Sequence, residues 1–249
     1  MHRFYLSPNE WDTGPLALAG SEAHHCRNVL RMKEGERLVV FNGRGHEITA
    51  EITTISGSGI YLKKLHEATT PPLRCRITLG QAIPKGKQMD LIVQKAVEIG
   101  AAEIAPIISD RTIVRLDAEE AAQKRDKWQS AAIEAAKQCG QNWLPQVQPP
   151  QPLAQFFPAT ACFDLRLIAS LQSDAVHLKK LLAEYAPEHA GGVPVSVLML
   201  IGPEGDFTPA ELNLARAHGC RPITLGPIVL RVETAAIYCL SVLSYELLA

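Results

Sequence analysis

The strongest constraint on the fold is a pair of apolar strands that each end in a glycine turn. Val193–Leu200 is an apolar run that leads into Gly202-Pro203-Glu204-Gly205, and Thr224-Leu225 is followed by Gly226-Pro227. An apolar run without polar alternation predicts a central parallel strand covered on both faces, and ligands of such sheets bind beyond the carboxyl ends of the strands. Glycine at these ends removes the Cβ atom and permits positive φ. The two turns therefore predict one pocket floor, in which backbone groups close around a ligand.

The residues of the first turn narrow the class of ligand. The chain has no G-x-x-x-x-G-K-[ST] sequence, and a proline and an acid stand where a phosphate cradle needs free amides and a lysine. Gly43–Gly45 and Gly57–Gly59 lack the following helix and third glycine of a dinucleotide site. We therefore expect a nucleoside-like ligand without phosphates, with positive charge near Glu204. The alternative is a plain strand-to-helix turn with a capping box at Thr208–Glu211, which would not explain the second turn.

Composition bounds the class of protein. The 249 residues are 47% hydrophobic and 20% charged, enough for one large core or two modest ones. The start of the chain has no apolar core of signal-peptide length, and no apolar run approaches the length of a membrane span, so we expect a soluble, cytoplasmic protein. The net charge of −1 argues against nonspecific coating of nucleic acid. The six cysteines are scattered without a C-x-x-C pair, and His24-His25-Cys26 lacks a second ligand pair, so we expect reduced thiols and no metal.

Two patterns of secondary structure follow one another along the chain. Residues 1 to about 70 contain short β-rich runs punctuated by glycine, which predict a small barrel. Thr69-Thr70-Pro71-Pro72 then predicts a linker. Beyond it, strands and helices alternate, which implies right-handed βαβ units on a mainly parallel sheet. The predicted strands are 35–43, 47–52, 59–62, 75–83, 104–108 and 161–164, and the predicted helices are 89–100, 118–139 and 175–185.

The residues around the two glycine turns resemble a known family. The tract I-G-P-E-G-x-F at 201–207, followed by L-G-x-x-x-L-R-x-E-T-A at 225–235, is similar to the knotted SPOUT methyltransferases. Within them it resembles the ribosomal small-subunit methyltransferase E family. The match spans nearly the whole chain, because further tracts agree in the same order at 1–5, 84–90, 94–100 and 134–140.

Two residues depart from the family's pattern. Asp206 stands where a second glycine is expected, and Gln141 stands where an arginine is expected. We expect Asp206 to narrow the cofactor turn and Gln141 to weaken a contact with RNA or cofactor.

The resemblance implies a fold and a reaction. The fold is α/β, with a small PUA-like β-barrel at 1–70 that binds RNA, followed at 73–249 by a SPOUT methyltransferase domain with a C-terminal trefoil knot. In this family the knot holds S-adenosylmethionine and the active unit is a homodimer. The terminal helix is apolar almost all round and therefore needs to be buried. The implied reaction is methylation of uridine N3 in 16S ribosomal RNA of the small ribosomal subunit.

Site residues follow from the resemblance and from their places beside the turns. Arg231 is the candidate for stabilising the developing uracil anion, and Glu233 for orienting the base or accepting a proton. The structural alternatives are a helix-end charge for Glu233 and an ion-pair partner for Arg231. Cofactor contacts are expected from Leu200, Ile201, Gly202, Pro203, Glu204, Gly205, Leu225, Gly226, Ile228, Leu230, Thr234 and Ala235. RNA contacts are expected from Arg3, Arg27, Arg31, Lys85, Lys87 and Arg111.

Two other functions stay open on the sequence. The chain could be a related methyltransferase that acts on transfer RNA, or a catalytically silent RNA-binding protein of the same fold. Intact glycine turns favour catalysis over silence, and the ordered tracts favour the ribosomal family. Methylation at uracil C5 would require a cysteine nucleophile, and no cysteine lies in the glycine turns.

Overall fold

The chain divides into two compact units. The computed structural model describes residues 1–11, 15–57, 59–112, 116–159, 163–188 and 192–248. The first unit comprises Met1–Pro72 with Ile133–Leu144, and the second comprises Leu73–Ala132 with Pro145–Ala249. Residues 133–144 thus belong to the first unit, although the sequence analysis placed them in the second domain.

The first unit contains a mainly antiparallel sheet. Its strands are β1 (Arg3–Tyr5), β2 (Ala17–Leu18), β3 (Arg37–Phe41), β4 (His46–Ile55) and β5 (Ile60–Thr69), in the order β1-β3-β4-β5-β2. Strand β1 pairs with β3 in parallel, and the other pairings are antiparallel. Short helices α1 (Pro8–Trp11) and α2 (Gly20–His24) and a π-helical turn (His25–Val29) complete the unit. The core is apolar and includes Phe4, Leu38, Val40, Ile52 and Ile60.

The three predicted strands of the first unit are confirmed, but β5 is longer than predicted. It continues to Thr69, whereas the prediction ended at Leu62. Residues 63–67 are exposed, so they carry no apolar alternation that sequence could detect. They are strand because Lys63, Lys64, His66 and Glu67 pair with β4, on either side of a register shift that leaves Leu65 without a partner in the pairing.

The second unit is built on a parallel sheet. Its strands are β6 (Arg76–Ala82), β7 (Glu103–Ile108), β8 (Gln146–Val147), β9 (Gln151–Pro152), β10 (Leu165–Ala169), β11 (Val176–His177), β12 (Ser196–Ile201) and β13 (Arg221–Thr224). They run in the order β11-β13-β10-β12-β6-β7-β8, with β9 also paired to β7. All the recorded pairings are parallel. The carboxyl ends of the central strands therefore meet at one edge.

Most residues of the central strands β6 and β12 are buried, and among the described residues six helices accompany the sheet in sequence. The helices are α3 (Gln88–Glu98), α4 (Ala118–Cys139), α5 (Leu153–Ala159), α6 (Leu178–Glu188), α7 (Pro209–Ala217) and α8 (Val232–Leu247). The last turns of α4 belong to the first unit. On β12, Leu198 and Leu200 pack with Phe156 and Leu212. Val197 and Met199 alternate with them and are also buried, as expected for a strand covered on both faces.

Most predicted elements of the second unit are confirmed, with the clearest agreement in the helices. Helix α4 has the predicted bounds. The apolar stripe of α3 is buried, and Gly100 follows its end with φ +92°. The predicted helix at 175–185 begins later, at Leu178, because Val176 and His177 pair with β13 instead.

The predicted strand at 161–164 is wrong where it can be tested. Residues 161 and 162 lie outside the described residues, and strand β10 begins at Leu165. Asp164 has another role: its Oδ2 accepts hydrogen bonds from the backbone nitrogens of Val195, at 2.9 Å, and Ser196, at 3.0 Å. A carboxylate before a strand can thus anchor the start of its neighbour, which apolar periodicity does not reveal.

Candidate functional site

A cleft of about 500 Å³ lies in the second unit at the carboxyl edge of the parallel sheet. Its walls are the segments that follow β6, β10, β12 and β13, together with the first turn of α8. The lining residues are Lys85, Gln88, Ala169–Leu171, Ile201–Glu204, Asp206, Ile223–Gly226 and Ile228–Glu233, with Ala235. Both predicted glycine turns therefore contribute to one cleft.

The turn after β12 is tied to the ends of neighbouring strands. The Glu204 carboxylate accepts a hydrogen bond from the backbone nitrogen of Lys85, at 2.8 Å, in the segment after β6. The Arg111 guanidinium, after β7, donates to the carbonyl oxygen of Gly205. A Cβ atom on Gly202 would lie 3.2 Å from both the ring and the backbone nitrogen of Phe207. The turn is therefore closely packed at residue 202, where a side chain would have to displace Phe207.

This turn also begins helix α7, so the capping interpretation is confirmed as well. Thr208 is the N-cap, Pro209 opens the helix, and Glu211 completes a capping box. The Glu211 carboxylate is buried and also accepts hydrogen bonds from Ser109 Oγ, at 3.3 Å, and the Asp110 nitrogen, at 3.0 Å. One segment thus both caps a helix and lines a cleft.

The turn after β13 is open by comparison. Gly226 has φ +122°, and a Cβ atom there would meet nothing within 4 Å, so its requirement for glycine is conformational. Its nitrogen donates to Thr224 Oγ1 at 3.3 Å. Ile228 and Val229 are 74% and 72% exposed. Apolar side chains exposed this far at the mouth of a cleft favour contact with a ligand or partner.

Most of the predicted cofactor residues line the cleft, and three do not. Leu200 lies in the apolar core beneath it. Gly205 is exposed and faces the Arg111 side chain. Thr234 lines a neighbouring groove along α8. The lining residues are Ile201, Gly202, Pro203, Glu204, Leu225, Gly226, Ile228, Leu230 and Ala235.

Sequence analysis missed the wall formed by Ala169–Leu171. Ala169 ends β10 and Ser170 and Leu171 follow it, and the position of this strand was predicted too early in the chain. The signal was present, because Leu165–Ile168 is an apolar run interrupted only by Arg166. With that run taken as the strand, the rule for carboxyl ends would have placed Ser170 and Leu171 at the cleft.

The two candidate catalytic residues stand together at the start of α8. Arg231 is its N-cap and is exposed, while Glu233 lies in the first turn and is half-buried; both line the cleft. Among the described residues, neither side chain forms a salt bridge within 4.0 Å. The ion pair suggested as a structural alternative is thus not formed.

The candidate RNA-binding residues differ in how they are engaged. In the first unit, Arg3 forms a salt bridge to Glu47 at 2.9 Å and donates to Asn142, while Arg27 donates to the Ser56 carbonyl oxygen at 2.5 Å. Arg31 is exposed and has φ +54°. The Arg3 and Arg27 side chains are therefore engaged in contacts within the first unit.

In the second unit, Lys85 and Lys87 are exposed at the end of β6 and the start of α3. Lys85 and Arg111 both line a recess of about 310 Å³ that shares Glu204 with the larger cleft. The recess brings cationic groups from two strand ends beside the glycine turn.

The described residues give no support to cysteine or metal chemistry. No described cysteine lines the cleft, and burial raises the pKa of Cys220 and Cys239 to about 12. No cluster of His, Cys, Asp and Glu in the described part of the chain could hold a metal ion. The described helices include none that is long and apolar enough to cross a membrane.

Comparison with known families gives a match over both parts of the chain. Residues 71–244 match the RNA methyltransferase domain, and residues 18–65 match the RNA methyltransferase PUA domain. The ribosomal RNA small subunit methyltransferase E of Bacillus subtilis is 30% identical, over 99% of this chain and 97% of that protein. The protein of the same name from Buchnera aphidicola of Schizaphis graminum is also 30% identical, over 98% and 94%.

Solved structures with bound S-adenosylmethionine are similar over the full length. One is the ribosomal RNA small subunit methyltransferase E of Neisseria gonorrhoeae, at 31% identity and a TM-score of 0.83, covering 98% of this chain and 97% of that one. Another is a Legionella pneumophila protein, at 35% identity and a TM-score of 0.85, covering 98% and 96%. The predicted family resemblance is thereby confirmed.

Proposed function

The chain belongs to the ribosomal RNA small subunit methyltransferase E family, and we propose that it transfers a methyl group from S-adenosylmethionine to N3 of a uridine in 16S ribosomal RNA. The observation that carries this proposal is the cleft at the carboxyl edge of the sheet, with Arg231 and Glu233 at its rim. Relatives of Neisseria gonorrhoeae and Legionella pneumophila bind S-adenosylmethionine, and the family name gives the RNA. Uridine and its N3 atom come from the family resemblance.

The residues of the cleft fit this cofactor. Its volume of about 500 Å³ is within the range of about 300 to 1,000 Å³ that small-molecule sites occupy. The two glycine turns present backbone donors and acceptors, which suit the edges of an adenine. Glu204 and Glu233 provide negative charge, which suits a sulfonium and an ammonium group. The residues that would hold the cofactor are Ile201–Glu204, Leu225, Gly226, Ile228, Leu230 and Ala235.

The reaction asks for alignment and for removal of one proton. When bound, S-adenosylmethionine supplies a methyl group that is already strongly electrophilic. Glu233 would accept the proton as the N3–H bond breaks, and the N3–CH₃ bond would form as the S–CH₃ bond breaks, with the demethylated thioether as the leaving group. The Arg231 guanidinium would stabilise the negative charge that develops on the uracil oxygens. The walls of the cleft would hold both reactants in line, which lowers the entropic part of the activation barrier for a reaction between two molecules.

RNA would be held by exposed cations near the cleft. We assign phosphate contacts to Lys85, Lys87 and Arg111, because the first and last line the recess beside the glycine turn. Arg31 of the first unit is exposed and is assigned the same role. Arg3 and Arg27, which are held by Glu47 and Ser56, are assigned a structural role instead. With ribosomal RNA as the substrate, we propose that the protein acts in the cytoplasm.

The proposal includes a knotted C-terminal segment and a homodimer. Strand β13 pairs on the far side of β10, yet α8 returns to contact α3, β6 and β12, so the chain crosses the carboxyl edge of the sheet. This path supports the proposed trefoil knot, which also requires the segment to pass through a loop of the chain. The groove along α8 leaves Tyr238 43% exposed and Tyr245 80% exposed, which supports a second copy as its cover.

The test is methylation of small ribosomal subunits from cells that lack the gene. The purified protein with S-adenosylmethionine should add one N3-methyluridine to 16S ribosomal RNA, identified by mass spectrometry of nuclease fragments. Transfer RNA and free 16S ribosomal RNA serve as competing substrates. Methylation of transfer RNA in preference to the subunit would replace the proposal with the transfer RNA alternative, and binding without methylation of any RNA would indicate a silent RNA-binding protein.

A further inference from the structure

Asp206 is an unusual residue for its position in the turn after β12. Its φ is +62°, in the left-handed region, where side chains other than glycine, asparagine and aspartate are rare. The family pattern has glycine here. The chain therefore keeps a backbone conformation that glycine adopts freely, while adding a half-buried carboxylate at the edge of the cleft.

Both oxygens of this carboxylate accept hydrogen bonds from backbone nitrogens. Oδ1 accepts from Phe207, the next residue, at 2.8 Å. Oδ2 accepts from Leu171, at 3.2 Å, in the segment after β10. The Asp206 nitrogen donates to the Pro203 carbonyl oxygen at 3.0 Å, which closes the turn itself. One side chain thus joins the floor of the cleft to the wall formed by Ala169–Leu171.

The wall has a separate anchor on its other side. The Ser170 nitrogen donates to the Ile223 carbonyl oxygen at 2.9 Å, and the Gln172 nitrogen donates to Ser170 Oγ at 3.2 Å. Leu171 lies between these bonds and is 65% exposed, so packing does little to fix it. The recorded acceptor for its nitrogen is the Asp206 carboxylate.

We propose that Asp206 is a positioning residue that fastens the wall after β10 to the glycine turn and so holds the cofactor cleft in its binding form. This rests on the proposed function, because the ligand is S-adenosylmethionine. If the cleft is in its binding form for only a fraction of the time, the apparent dissociation constant is the intrinsic one divided by that fraction. Loss of a charge-assisted hydrogen bond therefore weakens binding by about tenfold.

The experiment compares two variants with a matched control. Asp206→Gly keeps the left-handed backbone and removes both acceptors. Asp206→Asn also tolerates that backbone but has only one acceptor oxygen; when this oxygen accepts from Phe207, the amide NH₂ group faces the Leu171 nitrogen, donor against donor. Asp174→Asn is the control: it makes the same change in charge, and Asp174 is an exposed partner of Arg216 outside the cleft.

Three quantities are measured on the full chain: the melting temperature, the exchange rate of the Leu171 amide hydrogen, and the dissociation constants of S-adenosylmethionine and its demethylated product by calorimetry. We expect both Asp206 variants to stay folded, to exchange the Leu171 amide at least about tenfold faster, and to bind both ligands about tenfold more weakly. Asp174→Asn should match the parent protein in all three.

Several results would overturn the proposal. Unchanged affinity in folded Asp206→Gly would show that the wall needs no fastening. A loss confined to S-adenosylmethionine would mean that the carboxylate acts directly on the sulfonium charge. Unfolding of both variants would make Asp206 a determinant of the fold. Failure of the parent protein to bind either ligand would instead reject the proposed function, and the Leu171 exchange rate, which needs no ligand, would still test the fastening.

Discussion

At the scale of single residues, Arg231 carries the sharpest prediction. Its guanidinium is exposed at the N-cap of α8 and is not used in a salt bridge among the described residues, so removing it should leave the fold intact. Arg231→Ala should slow single-turnover methyl transfer on small subunits by about 100-fold or more, the scale of one lost oxyanion donor. Arg231→Lys should recover part of this, because it keeps the charge and loses the planar fork.

The control for Arg231 is Arg216→Ala. Arg216 lies on α7 and forms a salt bridge of 2.7 Å with Asp174. The control variant should transfer methyl groups at the parent rate. Cofactor affinity and melting temperature should be unchanged in Arg231→Ala; if the rate falls only because the protein unfolds or becomes monomeric, Arg231 belongs to the architecture.

Glu233 is tested by the pH dependence of its amide variant. Glu233→Gln keeps the shape of the side chain and removes the carboxylate that would accept the N3 proton. The rate of methyl transfer should fall at neutral pH and recover in part as pH rises, because more of the uracil is then already ionised. The measurement is the single-turnover rate from neutral to alkaline pH for parent and variant. Equal rates at neutral pH would reduce Glu233 to a charge at the helix end.

Glu47 gives a stability prediction with a defined sign. Burial alone would raise its pKa, but hydrogen bonds from Arg3 and Asn142 and the guanidinium charge lower it from the ordinary value of 4.5. A carboxylate whose pKa is lower in the folded state stabilises that state above the unfolded pKa, and this contribution is lost as pH falls. Glu47→Gln should lower the free energy of unfolding by about 1 to 3 kcal/mol at pH 7.

That difference should shrink as pH falls below 4.5, because the carboxylate of the unfolded chain then takes up a proton, whereas the folded one does so only at lower pH. Urea unfolding at pH 7, 5 and 4 measures it. Glu67→Gln, at an exposed carboxylate paired with Lys64 in the same sheet, is the control and should change stability little. A gap for Glu47→Gln that stays constant with pH would show that the interaction does not depend on its charge.

At the scale of elements, the two glycine turns should fail for different reasons. Gly202→Val brings a branched Cβ against Phe207, where even a single Cβ atom lies at 3.2 Å. In Gly226→Val the added Cβ atom meets nothing within 4 Å, but the variant demands φ +122° of a branched residue. Both should abolish measurable binding of S-adenosylmethionine by calorimetry while circular dichroism shows a folded protein. Gly57→Ala, where an added Cβ meets nothing within 4 Å, should bind normally. Retained affinity in both valine variants would make the turns helix-capping devices only.

Elements with strong apolar periodicity could be predicted from sequence, and elements defined by pairing could not. The stripe of α3 and the long helix α4 follow from their own residues. By contrast, the exposed half of β5 and the short strand β11 exist because neighbouring strands supply hydrogen bonds. The same limit hid the third wall of the cleft, since Ala169–Leu171 carries no glycine signal and is fixed by Ile223 and Asp206.

The departures from the family pattern have local structural explanations that sequence analysis did not supply. Asp206 was expected to narrow the turn. In the structure its carboxylate accepts hydrogen bonds from Phe207, within the turn after β12, and from Leu171, in the segment after β10. Gln141 was expected to weaken an external contact, but its Oε1 accepts a hydrogen bond from the Trp143 nitrogen at 3.1 Å. A substitution away from a family pattern identifies a position, and only the neighbouring backbone shows what the new side chain does there.

At the scale of the whole molecule, the terminal helix was expected to be buried all round, and within one chain it is not. Ala236, Cys239, Leu240, Leu243 and Leu247 are buried, whereas Tyr238 and Tyr245 are exposed. The groove beside these tyrosines also involves Leu225, which lines the cofactor cleft as well. A second copy seated on this groove would therefore support the turn after β13, and dimer formation and cofactor affinity should be linked.

Tyr245→Glu tests that link. A charge in place of an exposed aromatic at the centre of an interface costs roughly 2 kcal/mol or more, so dimerisation should weaken by about thirtyfold. Sedimentation at several concentrations measures the dimer, and calorimetry on the same samples measures S-adenosylmethionine. Val193→Glu, at a residue that is 62% exposed and away from the groove, is the control and should stay dimeric.

Because Leu225 is shared, the monomeric variant should bind the cofactor more weakly, and affinity should recover as concentration restores the dimer. A parent protein that sediments as a monomer at every concentration would leave α8 covered by something other than a second copy, and unchanged affinity in monomeric Tyr245→Glu would show that one chain holds the cleft by itself.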